Sequence, residues 1–107
     1  MTTVEYTEEG GVLRLRADGH AAWAENGPDL VCAAASMLAY TLLQCLRDAE
    51  GRGWLEELDT DIWEGGVLAE AAPCAGREME AEMIFRTVLT GYRLLAAKHP
   101  ENVRVEE

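Results

Sequence analysis

The chain has 107 residues, with 20 Asp and Glu against 9 Lys and Arg, so its net charge is −11. That length fits a single domain over residues 1–107, large enough to bury a core without disulfide or metal staples. Phosphate binders cluster Lys and Arg, so the charge argues against DNA or RNA as the main partner and against an anionic membrane surface, and is more consistent with a basic partner or simply with good solubility.

The first ten residues, MTTVEYTEEG, contain no basic leader and no apolar run, so no secretory signal is expected. The longest apolar stretch, Leu30 to Leu46, is interrupted by Ser36, Thr41 and Gln44. A bilayer span takes roughly 20 mostly apolar residues, so this stretch reads as a buried helix. Cys32, Cys45 and Cys74 are odd in number and form no C-x-x-C pair. They have no histidine at zinc spacing, so neither a disulfide scaffold nor a metal site is expected. The cytoplasm is the expected compartment, with no cofactor.

In chain order, Val4 to Thr7 and Val12 to Ala17 alternate apolar and polar residues around Gly10-Gly11, a β-hairpin pattern. Asp18 to Pro28 is a loop, long for so small a domain, and such loops often carry function. Gly27-Pro28-Asp29 starts a helix, with proline favoured at its first position and an acid suited to the positive end of its dipole. Leu30, Ala34, Met37, Leu38, Thr41, Leu42 and Cys45 recur at helical spacing, so this helix should be buried on more than one side until Gly51 and Gly53 end it.

Trp54 to Trp63 and Val67 to Ala71 flank a Glu64-Gly65-Gly66 turn and read as a second hairpin, followed by a loop from Ala72 to Gly76. Arg77 to His99 is a second helix with an apolar stripe of Met79, Met83, Ile84, Val88, Tyr92, Leu95 and Ala96. Pro100 ends it, and Asn102 to Val105 fits a short edge strand. The order ββαββαβ predicts an α+β domain, two helices packed on a small mixed or antiparallel sheet.

The local arrangement that suggests chemistry is His20, then a glycine-flanked loop, then Cys32 just inside a helix. Unpaired N–H groups and the dipole at a helix start favour thiolate over thiol. A histidine brought alongside takes the thiol proton, and the same N–H groups can hold an oxyanion. Read from spacing alone, a cysteine in an apolar helix is more often a small core residue and a histidine near a turn more often a solvated one. Cys45, on a buried stripe, and Cys74, in a loop, read as structural.

Gly19-His20-Ala21, with Gly27-Pro28-Asp29-Leu30-Val31-Cys32-Ala33-Ala34-Ala35-Ser36, resembles the ribosomal-processing cysteine protease family, Prp or YsxB-like. That family's pattern is G-H-A, a loop, then G-x-D-[IV]-V-C-A-[AG]-x-S. The resemblance implies a cytoplasmic cysteine endopeptidase, active in ribosome biogenesis and commonly homodimeric. It removes the short N-terminal extension of a large-subunit ribosomal protein precursor. By this resemblance Cys32 is the nucleophile and His20 its catalytic partner. Asp29 either orients His20 or only starts the helix. Ser36, at i+4 from Cys32, either serves the site or bonds back to the Cys32 carbonyl. Gly19 and Gly27 are candidate hinges of the loop, and Trp23 either grips substrate or anchors the loop. A basic ribosomal protein precursor as peptide substrate suits the charge of −11. The reading from a different class is a non-catalytic acidic module that binds a ribosomal protein or an assembly factor.

Overall fold

The computed structural model describes residues 1–19 and 29–107. Within them run β1 (Thr2–Glu9), β2 (Val12–Asp18), α1 (Asp29–Gly51), β3 (Leu55–Trp63), β4 (Gly66–Pro73), α2 (Glu78–Lys98) and β5 (Val103–Glu106). The fold is α+β in the order ββαββαβ. Five strands form one sheet in the order β3-β4-β2-β1-β5. The sheet is mixed, because β1 and β5 are parallel while the other neighbours are antiparallel.

Gly10 and Gly11 have φ of 60° and 79°, and Glu9 pairs with Val12 across them. Two consecutive left-handed residues are what a two-residue hairpin turn requires, and glycine adopts them without strain. The alternation in both strands then sends Val4, Tyr6, Leu13, Leu15 and Ala17 into the core. Val67, Ala69 and Ala71 of β4 join them on the same face. The opposite face is wet and carries the cross-strand pair Arg14–Glu70 at 3.5 Å. The edge strand β3 exposes Glu56, Glu57, Asp59 and Asp61 and is irregular between Leu55 and Glu57. Charge and irregularity both discourage edge-to-edge pairing.

Both helices lie on the core face. Phe85 and Tyr92, two turns apart on α2, are the largest fully buried side chains, and Val31, Leu42, Leu43 and Leu46 of α1 pack with them. The Tyr92 hydroxyl donates a 3.0 Å hydrogen bond to the Ala35 carbonyl and ties α2 to α1. After α2, the backbone N–H groups of Asn102 and Val103 both reach the His99 carbonyl, which turns the chain into β5.

The helix faces depart from the periodicity reading. On α2 the buried residues are Ala81, Phe85, Val88, Leu89 and Tyr92, while Met79 and Met83 are open to solvent. On α1, Val31, Ala35, Leu42, Leu43, Leu46 and Ala49 face inward, and Leu30 and Met37 face out. Each helix carries two adjacent apolar stripes, and a two-layer fold can bury only one per helix. The aromatic rings of α2 take the inner position because they remove the most area from water.

Gly19 closes β2. Its φ is 138°, and its N–H donates to the Gly65 carbonyl at 3.2 Å. A Cβ there would lie 2.1 Å from the Met1 carbonyl oxygen and 2.7 Å from the Thr2 Cα. Gly19→Ala should therefore destabilise the domain by about 1–3 kcal/mol or more, read as a lower denaturant midpoint.

Tyr92→Phe should lower stability by about 1 kcal/mol with an unchanged denaturant slope, through loss of the bond to Ala35. Burial pushes the Tyr92 phenol upward. Burial and then the 2.6 Å hydrogen bond to Glu8 do the same to Tyr6. Unfolding lets both ionise near the ordinary tyrosine value of about 10, so their contribution is whole below that pH and lost as pH rises above it. Tyr92→Phe should flatten that alkaline decline in a pH series of denaturation curves.

Candidate active site

Cys32 is the fourth residue of α1, so it sits in the turn whose backbone N–H groups have no partner within the helix. It is half-buried and lines a cleft of about 230 Å³ between α1 and the β3–β4 hairpin. Ser36 lines the same cleft one turn on, so these two predicted residues share one helix face. Thr41, Thr87 and Thr90 spend their hydroxyls on the carbonyl four residues back. Ser36 makes no such bond and no other hydrogen bond to a described residue. Its hydroxyl remains available on the cleft wall.

The rest of the cleft comes from elements that composition did not single out. Ala35, Ala39, Tyr40 and Leu43 extend the α1 wall. Ile62, Trp63, Glu64, Gly65 and Gly66 form the opposite wall, with Ala17, Val67 and Tyr92 at the base. The α1 share was readable as a stripe at spacings of three and four from Cys32. The hairpin share was not, because it reaches the thiol only through strand pairing. The hairpin wall is held in place by Trp63, whose indole covers Gly66 and lies 5.1 Å from the Arg16 guanidinium.

The remaining predicted positions divide in two. Asp29 opens α1 three residues before Cys32. Gly19 bonds through its N–H to Gly65, a residue of the cleft wall, so the end of β2 lies beside the site. His20, Trp23 and Gly27 fall outside the described residues. His99, the other histidine of the chain, caps the end of α2 through its backbone N–H to Leu95 and does not line the cleft. Cys45 faces a separate groove with Trp54 and Met79. Cys74 follows β4, and its N–H bonds the Trp54 carbonyl at 2.8 Å. Among the described residues, no three His, Cys, Asp or Glu side chains cluster to hold a metal ion. The arrangement suits nucleophilic attack by a thiol on a substrate laid in the cleft, with the helix N–H groups ready for negative charge.

Comparison with known proteins gives the family. The family model "Cysteine protease Prp" matches residues 1–104. The ribosomal processing cysteine protease Prp of Staphylococcus aureus is 28% identical over 98% of this chain and 97% of its own length. The crystal structure of SMU.848 from Streptococcus mutans superposes with a TM-score of 0.70 at 26% identity, covering 99% of this chain and 92% of that one. The essential S. aureus protease Prp in complex with a substrate peptide gives a TM-score of 0.70 at 25% identity, and both chains are covered completely. The same enzyme with a covalently linked product peptide gives 0.68 at 25%, again over the whole of both chains. The chain is thus a cysteine protease, and it belongs to the Prp family.

Proposed function

We propose that this protein is an endopeptidase that removes the short N-terminal extension from the precursor of a large-subunit ribosomal protein, with Cys32 as nucleophile and His20 as its base. The observation that carries this reading is the placement of Cys32 in the first turns of α1 on the wall of a cleft. Two further facts support it. Relatives are named ribosomal processing proteases, and one is described with a substrate peptide and with a covalently linked product peptide.

In this mechanism His20 takes the Cys32 proton, and the thiolate sulfur attacks the scissile carbonyl carbon. The carbonyl π pair moves onto oxygen, where N–H groups at the start of α1 hold the negative charge. The oxyanion collapses, the C–N bond breaks, and His20 protonates the departing amine, leaving a thioester on Cys32. Water, deprotonated by His20, attacks the thioester carbonyl and releases the new carboxylate and the thiol. Asp29, one turn before Cys32, is placed in the motif to orient or stabilise the His20 imidazolium. Ser36 hydrogen-bonds the bound peptide or the reacting groups from the cleft wall. Trp23 contacts substrate, and Gly19 and Gly27 bound the segment that closes over it. The charge of −11 draws in a basic precursor, an effect that weakens with added salt. Cytoplasmic location and a homodimeric state complete the reading, both carried by the family resemblance.

The test is mass spectrometry of the ribosomal precursor after incubation with each protein. Wild type should trim the extension. Cys32→Ala and His20→Ala should each lose activity by about 10³–10⁴-fold or more while keeping the wild-type circular dichroism spectrum. Full cleavage by Cys32→Ala would reject the mechanism. Binding of the precursor without cleavage by wild type would favour the acidic binding module instead.

A further inference from the structure

The cleft wall opposite Cys32 is fastened from behind the sheet. Residues paired directly across two strands share a face. Ala17, Val67 and Ile62 therefore lie together on the cleft side, through the pairs Ala17–Val67 and Ile62–Val67. Asp18, Gly66 and Trp63 lie together on the other side, through Asp18–Gly66 and Trp63–Gly66. There the Trp63 indole covers Gly66 so closely that a Cβ on Gly66 would fall 2.2 Å from its Cε2. Arg16 alternates with the buried Leu15 and Ala17, so it is on this back face too. Its guanidinium stands 5.1 Å from the centre of the indole. Its Nε and Nη2 donate to one Asp18 carboxylate oxygen at 3.0 and 2.9 Å, which aims the guanidinium at the ring.

The front of the turn borders open space. Glu64, Gly65 and Gly66 line the cleft, and Ile62 beside them is 49% exposed. An element next to a gap lacks the packing that would otherwise fix it. The position of the turn is therefore set from the back and from the side. The indole clamp acts from the back, and the 3.2 Å bond from the Gly19 N–H to the Gly65 carbonyl acts from the side.

We propose that Arg16 and Trp63 are positioning residues of the protease. Clamped together behind the sheet, they hold the β3–β4 turn at the distance from α1 that lets a substrate peptide lie in the cleft. They act on the peptide through the wall of Ile62, Glu64 and Gly65 and not on the reacting atoms. The inference rests on the reading of this cleft as the substrate site, and adds the residues that set its width. A wall holds the peptide equally well before and during reaction. Loosening it therefore raises KM and leaves kcat in place.

Steady-state kinetics on a peptide spanning the cleavage junction of the ribosomal precursor test this, together with amide exchange followed by NMR. Trp63→Leu should raise KM about tenfold and Arg16→Met about threefold, with kcat within about twofold of wild type. Arg16→Lys keeps a cation by the ring and should recover part of the loss. Gly66→Ala probes the clamp with both partners still present. The three atoms nearest its new methyl all belong to the indole, and Gly66 does not have a left-handed φ. It should displace the ring, match Trp63→Leu in KM, and add nothing when combined with it. Arg14→Met removes a cation from the same face of β2, away from the indole, and should leave KM unchanged. In Trp63→Leu, Arg16→Met and Gly66→Ala the Gly19 amide should exchange at least about tenfold faster, while the Leu15 amide keeps its wild-type rate. Should Trp63→Leu fail to fold, the other two carry the test. An unchanged KM in the clamp variants, or a loss confined to kcat, would overturn the positioning role. So would a Gly19 amide that exchanges in all of them as it does in wild type. A wild type that cuts neither peptide nor precursor overturns the substrate reading instead, and the exchange series then still decides whether the clamp holds the turn.

Discussion

The Cys32 sulfur goes wherever the first turns of α1 go, and Tyr92 ties those turns to α2. Its hydroxyl reaches the Ala35 carbonyl, three residues beyond Cys32, from the far helix and from within the core. The bond is neutral and buried, so neither salt nor the surrounding negative charge weakens it in the way they weaken surface pairs. It also fixes a backbone atom rather than a side-chain tip, so it positions the helix itself. In the proposed role of Cys32 that placement matters, because small misplacements of a reacting group cost large factors in rate.

Small side chains set the shape around Cys32. Ala17, Ala35, Ala39 and Val67 line the cleft where leucines would fill it. Packing theory assigns a cost to such a gap, since its lining atoms lose contacts. The domain recovers burial elsewhere, through Phe85, Tyr92, Leu15, Leu42, Leu43 and Leu46, none of which is more than 1% exposed. The opening beside Cys32 thus lies at the margin of the buried cluster, lined by small side chains. It is bounded on its far side by a hairpin that Trp63 and Arg16 stiffen.

Charge is distributed with the same asymmetry. Acidic residues collect on β3 and on the solvent side of the sheet, while the groove between the helices is nearly free of charge. A strongly acidic chain repels its own copies and attracts basic ones from other proteins. The groove adds the thioethers of Met37, Met79 and Met83 to aliphatic groups like those of the core, whose buried residues include no methionine.

Local sequence determined a great deal. Glycine pairs and alternation marked both hairpins, because turn sterics and strand pleating act over a few residues. Pro100 marked the end of α2, and the order of elements followed from these signals with bounds within about two residues. The G-H-A and G-x-D-x-V-C-A-A-x-S segments singled out Cys32, His20, Asp29 and Ser36, and the helix spacing put Cys32 and Ser36 on one face. Tertiary structure decided the rest. It chose the stripe through Phe85 and Tyr92 over the one through Met79 and Met83, a choice that periodicity cannot make when two apolar stripes lie side by side. It made the sheet mixed, since the parallel partner of β1 arrives from the last strand of the chain. It also brought Gly65 and Ile62 to the same cleft as Cys32 across some thirty residues of sequence, because a cleft wall is set by which strands pair and not by the residues next to Cys32 in the chain.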